Sequence, residues 1–339
     1  MYNFEITEYD KYIYEKELLD FLPQKFIDFH THIEDENVSN VLEHNGGSSW
    51  TDHIKGRSAE GLVNAYQRMF PQNKVTPLLF GGCLKAIKGT NEYVLEKKKH
   101  YGYPALYRID YTMDAEEIEA DMKKDGYIGV KPYLSACPEY IPDDEIRIFD
   151  FITHKQLEML DRNGWILMLH IPRPKRFKDP VNIGQLKEIE EKYPNIKLII
   201  AHIGRAYAKE DIGNAFELVG KGKNTYFDFT ANLCDDAIKA CIEAVGPQKL
   251  IFGSDLPIAQ MRMYRIVEDG VYYNVVPRGM YGDVDGEPHM RQSDEGKITL
   301  MIYEQLLALK RVAAELNLSK KDIEDIMNNN AQRLIDGLK

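Results

Sequence analysis

Along this chain, short apolar runs rich in β-branched and aromatic residues alternate with longer stretches in which apolar residues recur every three or four positions. The runs fall at 26–32, 74–80, 105–111, 127–133, 165–170, 197–202, 225–229 and 250–252, and each reads as a buried strand. Helical spacing marks 58–70, 114–124, 144–162, 183–192, 211–219 and 235–245. Asp114 is placed to cap its helix, and Gly164 to end the one before the fifth strand. Eight strands alternating with helices predict a parallel sheet closed into a (β/α)8 TIM barrel, with a doubly wound open sheet as the rival arrangement.

Several segments stand outside the alternation. Residues 1–22 read as an N-terminal cap packing through Tyr12, Leu18, Leu19 and Leu22. A polar, glycine-containing loop of roughly 25 residues follows the first strand, with His44 and His53 in it. Residues 256–296 show no clear period and read as a lid or a subunit contact. Two helices, 298–316 and 320–334, close the chain, the second capped by Ser319. No domain boundary or repeat interrupts 1–339, so a single domain is expected.

Composition narrows the function classes. The formal charge is −11, and the longest basic run is Lys97-Lys98-Lys99, which reads as a solvated helix end. Nucleic acid is therefore not an expected partner. No apolar stretch reaches the ~18 residues of a membrane span. The N-terminus does not resemble a signal peptide, and Cys83, Cys137, Cys234 and Cys241 are too scattered for a disulfide framework. Together these point to the cytoplasm.

The chemistry gathers at strand ends. In Asp28-Phe29-His30-Thr31-His32 the two histidines share a strand face, which starts a divalent metal site or else marks a surface pair. Later runs end in Lys131, His170, His202 and Asp255. In a barrel the C-terminal ends of all strands meet at one mouth, so residues remote in sequence converge there.

These motifs, with Ala201-His202-Ile203-Gly204, Phe252-Gly253-Ser254-Asp255-Leu256-Pro257 and the terminal Asn330-Ala331-Gln332-Arg333-Leu334, resemble the amidohydrolase superfamily. The resemblance is to its amidohydrolase 2 branch, which includes aminocarboxymuconate semialdehyde decarboxylase-like enzymes. It implies one divalent metal ion, zinc or alternatively manganese, held by His30, His32, His170 and Asp255 with a position left open. Asp255 and His202 would be the catalytic acid/base pair, and Asp28 would either hold one of the ligating imidazoles through its other N–H or bond locally. Lys131 would contact a substrate anion or, carboxylated, bridge two metals. Arg173, Arg205 and Tyr133 would bind an anionic small molecule, each arginine having loop-tying as its alternative. The branch often has a second glycine where Arg205 stands.

The leading expectation is a metal-dependent hydrolase in which metal-activated water attacks a small carboxylated or cyclic substrate. A non-oxidative decarboxylase using the same metal site is the alternative, and a non-catalytic metabolite-binding barrel the third reading. A homo-oligomer is compatible with each.

Overall fold

In the computed structural model, residues 5–35, 54, 56–82 and 87–338 are described; His44, His53 and Cys83 lie outside them. All eight expected strands form: β1 (Lys25–Ile33), β2 (Lys74–Gly81), β3 (Tyr107–Ile109), β4 (Gly129–Pro132), β5 (Ile166–Leu169), β6 (Lys197–Ile200), β7 (Thr225–Asp228) and β8 (Leu250–Ile251). β3 to β8 pair in sequence order as one parallel sheet, and β1 pairs with β2. Two seams join these pieces. Leu79 bridges Ala105, and Phe29 N–H donates to Phe252 O at 2.9 Å while Asp255 N–H donates to His30 O at 2.9 Å. The fold is the α/β TIM barrel.

Period-two burial explains why both faces of the strands are apolar. Ile27, Phe29, Leu78, Phe80, Ile166, Met168, Ile199 and Ile251 share an inner core, onto which Ala331, Leu334 and Ile335 of the last helix also pack. Their neighbours Phe26, Leu79, Leu167, Leu169, Leu198, Ile200, Leu250 and Phe252 belong to the outer core beneath the helices.

The helices differ from expectation in three places. The 144–162 segment is split into Ile148–Phe151 and His154–Asn163, because Thr153 turns extended and forms a capping box with Gln156. The 211–219 segment contributes only a 3-10 turn, Lys209–Asp211, and Ala215–Leu218. Gly213 between them is left-handed, with φ +53°. The helix Ile87–Tyr101 shows no apolar period in the sequence, because only Thr90, Asn91 and Val94 on it are buried. Lys98 and Lys99 sit in its last turn, but Lys97 of the same basic run is only 15% exposed and pairs with Glu60 at 2.8 Å, so the run is a solvated end only in part.

Residues after β8 form regular structure without a clear sequence period. β9 (Tyr264–Glu268), β10 (Val271–Pro277) and β11 (Met290–Ser293) form a separate small sheet. No helix among the described residues is long and apolar enough to cross a membrane.

Near the N-terminus, Leu18 and Leu22 are buried as expected, but Tyr12 is 53% exposed and Tyr14 takes the inward place. A clamp ties this segment to the excursion after β8. Arg262 donates from Nη1 to Asp10 Oδ1 (3.0 Å) and from Nη2 to Asp10 Oδ2 (2.6 Å), and Thr299 Oγ1 donates to Oδ1 (2.7 Å). Burial raises the Asp10 carboxyl, but Arg262, Thr7 and Thr299 outweigh it and hold it below its ordinary value. The stability it contributes is therefore present above the unfolded pKa and lost as pH falls through the lower folded one. Asp10→Ala strands a mostly buried guanidinium, and urea unfolding should register a loss of about 3–5 kcal/mol; a loss below about 1 kcal/mol would mean that the clamp is a surface pair in effect.

Candidate metal centre

Six strands deliver polar side chains to one end of the barrel. β1 carries His30 and His32, β4 carries Lys131, β7 ends in Asp228, and His170, His202 and Asp255 follow β5, β6 and β8. Side chains at i and i+2 share a face, and the His30 and His32 rings accordingly lie 5.3 Å apart, centre to centre. His170 has the inward parity of Ile166 and Met168, and Asp228 that of Tyr226.

Hydrogen-bond partners fix the proton on each ring. His30 Nδ1 lies 3.0 Å from Asp228 Oδ2, and His202 Nδ1 lies 2.9 Å from the Thr230 carbonyl. A carbonyl and an ionised carboxylate only accept, so both Nδ1 atoms carry protons. The Tyr133 hydroxyl donates to Gly81 O at 2.7 Å, so at its 3.0 Å contact with His32 it accepts from Nδ1. Each ring is thus left with a bare Nε2 lone pair. That of His32 lies 2.9 Å and that of His30 3.6 Å from Asp255 Oδ1. Lone pairs facing an anionic oxygen repel unless a proton or metal ion sits among them. Ligand atoms of His30, His32 and Asp255 all fall within 4.8 Å of one another. Two neutral imidazoles and a carboxylate are a donor set that suits zinc and its neighbours, so the residues fit a divalent metal.

His170 is not in that trio. Its ring stands 5.1 Å from the His202 ring, which is itself 4.9 Å from His30. Its buried Nδ1 makes no hydrogen bond among the described residues. Lys131 is likewise buried with an unbonded Nζ, 5.5 Å from the centres of both the Phe80 and Tyr133 rings. Arg173 is engaged: it pairs with Asp179 at 3.1 Å and donates to Glu145 O at 3.0 Å, which is the loop-tying arrangement. Arg205 donates only to Ile171 O, at 3.2 Å, and meets no carboxylate among the described residues.

Asp28 holds no imidazole, and only one of its bonds is local. Its carboxylate accepts from Tyr66 Oη (2.7 Å), Ser254 N (2.9 Å) and His30 N (3.2 Å), and no imidazole reaches it. Asp228 holds the His30 ring instead, and also accepts from His202 N at 2.7 Å. It went unnoticed because Phe227-Asp228-Phe229 reads as a plain strand end; the same signal, an apolar run meeting a carboxylate, would have found it. His289 stacks on Tyr272 with ring centres 4.2 Å apart.

Burial sets the charges. It lowers His30 to about 3, assisted by the Lys131 ammonium and opposed by Asp228. It also pushes His170 and His202 down, so all three rings are neutral at pH 7, the form that binds metals. Burial brings Lys131 down to about 8 against the pull of Asp228 and Asp255. Burial alone would raise Asp255, but the nearness of His32, His202 and His30 holds it below the carboxylate range.

The backbone here is strained. His202, Ile203, Gly204 and Arg205 all have positive φ, from +49° to +64°, and Asp255 has φ +72°. Left-handed backbone is costly for all but glycine, which is why a glycine suits the Arg205 position in the resembled branch. Gly204 also has no room for more, since a Cβ there would meet the Phe177 ring at 2.6 Å.

A family model described as amidohydrolase matches residues 27–336. No curated protein sequence matches the chain. Among solved structures, one named as a probable 2-pyrone-4,6-dicarboxylic acid hydrolase from Acinetobacter baumannii, with citric acid bound, is similar at 15% identity and TM-score 0.57, covering 92% of this chain and 99% of that one. A dihydroxybenzoic acid decarboxylase from Polaromonas sp., with bound manganese and the inhibitor 2-nitroresorcinol, is similar at 13% identity and TM-score 0.55, covering 94% and 98%.

Proposed function

The chain belongs to the amidohydrolase family, and from that premise we propose that it is a metal-dependent hydrolase of a small anionic, cyclic substrate. The observation that carries this reading is the pair of bare Nε2 atoms, on His30 and His32, aimed at Asp255. His30, His32 and Asp255 would hold the ion, and His170, with its unbonded buried Nδ1, would complete the set. Zinc is the proposed metal on the strength of the imidazoles; manganese is the alternative, as held by the Polaromonas decarboxylase. When bound, a divalent ion lowers the pKa of water and polarises the reacting group.

The chain's own residues do the rest. Asp255 Oδ2 makes no hydrogen bond among the described residues, so the carboxylate can take the proton of the attacking water. His202, its Nδ1–H spent on Thr230, presents an accepting Nε2 that would take this proton from Asp255 and pass it to the leaving group, leaving both residues as they began. The Lys131 ammonium, still mostly charged at neutral pH, faces developing negative charge without competing bonds. Arg205 and Tyr133 would line the anion's path, while Arg173 anchors its loop through Asp179. Isolated free cysteines at Cys137, Cys234 and Cys241 accord with a cytoplasmic setting.

A decarboxylase built on the same residues is the second reading, favoured by the similarity to the Polaromonas structure. The two separate in ¹⁸O-labelled water with metal-loaded protein, offered 2-pyrone-4,6-dicarboxylate and 2,6-dihydroxybenzoate. Label entering a ring-opened product, with no CO₂ released, is the expected result. CO₂ release with no label in the product would replace the hydrolase with the lyase.

A further inference from the structure

The small sheet after β8 does more than cover the barrel. Arg265 of β9 pairs in register with Asn274 of β10, and its Nε donates to Asn274 Oδ1 at 2.9 Å. Its Nη1 donates to Ala231 O at 3.1 Å. Ala231 adjoins Thr230, whose carbonyl orients His202, so the guanidinium is pinned to the wall beside the metal centre. It rests on two tyrosine rings, 4.6 Å from the centre of Tyr207 and 4.9 Å from that of Tyr272. Tyr207 in turn stands 6.2 Å from the His202 ring.

Charge is what this cluster lacks a balance for. Arg176 lies 4.7 Å over Tyr272 and is paired with Asp211 at 2.8 Å. Neither Arg265 nor Arg205 has a carboxylate partner among the described residues, and Arg265 Nη2 makes no hydrogen bond there. Burial pulls the Arg265 pKa down, and the Arg176 charge adds to the effect. The guanidiniums of Arg265 and Arg205 are both half-buried, and aromatic faces offset only part of what that costs. In a chain of formal charge −11, such uncompensated cations await an anion. A guanidinium's planar fork matches a carboxylate.

We propose that Arg265 forms an anion subsite one tyrosine ring, that of Tyr207, away from His202, and that it receives a substrate carboxylate distal to the group that reacts. The substrate class is then a cyclic or aromatic dicarboxylate, with one end at the metal and the other at Arg265. This rests on the function proposed above for its metal end.

Calorimetry on the full-length, metal-loaded protein tests it with isophthalate and benzoate as probes. The wild type should bind isophthalate at least about 10-fold tighter than benzoate, and Arg265→Gln should weaken isophthalate about 10- to 100-fold while leaving benzoate within about twofold. Arg265→Lys, which keeps the charge and loses the fork, should fall between. Equal affinities of the wild type for the two probes, no binding of isophthalate, or an unchanged isophthalate affinity in Arg265→Gln would each overturn the subsite. Metal content, measured on the same samples, keeps the two readings apart. A protein without metal that still loses isophthalate on Arg265→Gln retains the subsite and loses the hydrolase; a metal-loaded protein indifferent to Arg265→Gln does the reverse.

Discussion

Asp255→Asn should lower turnover by about 10³- to 10⁴-fold while leaving the circular dichroism of the protein unchanged. Asparagine has the shape of aspartate but cannot take a proton from water, and it brings no negative charge to the bare nitrogens of His30 and His32. Two losses therefore coincide, and they can be separated. Raising the metal concentration should restore occupancy in the variant yet leave kcat low, because the proton acceptor is still missing. If Asp255→Asn regained full kcat under excess metal, the carboxylate would be a ligand only and the base would lie elsewhere.

Asp228→Asn should weaken metal binding by about 10- to 100-fold without touching the metal itself. Asp228 accepts from His30 Nδ1 on one oxygen and from the backbone N–H of His202 on the other, so both sides need an acceptor. An amide offers one. If its NH₂ turns to His30, the imidazole must move its proton to Nε2 and loses the lone pair aimed at Asp255. If it turns the other way, the His202 N–H is buried against a donor, and the left-handed turn that follows loses its anchor. Competition against a chromophoric chelator measures the effect. A change below about threefold would mean that the His30 tautomer is set by something other than Asp228.

The parts of this design that could be read from the chain are those in which periodicity and chemistry coincide. Five of the eight strands are runs of buried residues meeting a charged or histidine side chain at the C-terminal end, so His30, His32, Lys131, His170, His202 and Asp255 stand out in the sequence. What stayed hidden depends on partners remote in sequence. Asp28, two residues from His30, looked like the imidazole's partner, yet strand geometry sends its carboxylate to Tyr66 and Ser254. Asp228, 198 residues away, reaches the ring because only β8 stands between β7 and β1 in the barrel. The β9–β11 sheet was illegible for a different reason. Its strands carry mixed polar residues, and β9 is nowhere fully buried, so no alternation marks them. Arg265 had no local signal at all, since its meaning lies in the rings of Tyr207 and Tyr272 beneath it.

The most direct test is an anomalous difference map from crystals grown with zinc and measured at the zinc edge. A single peak at about 2.0–2.2 Å from Nε2 of His30, Nε2 of His32 and a carboxylate oxygen of Asp255 is the predicted result. No peak there under saturating zinc, or a peak bound by other side chains, would contradict the account.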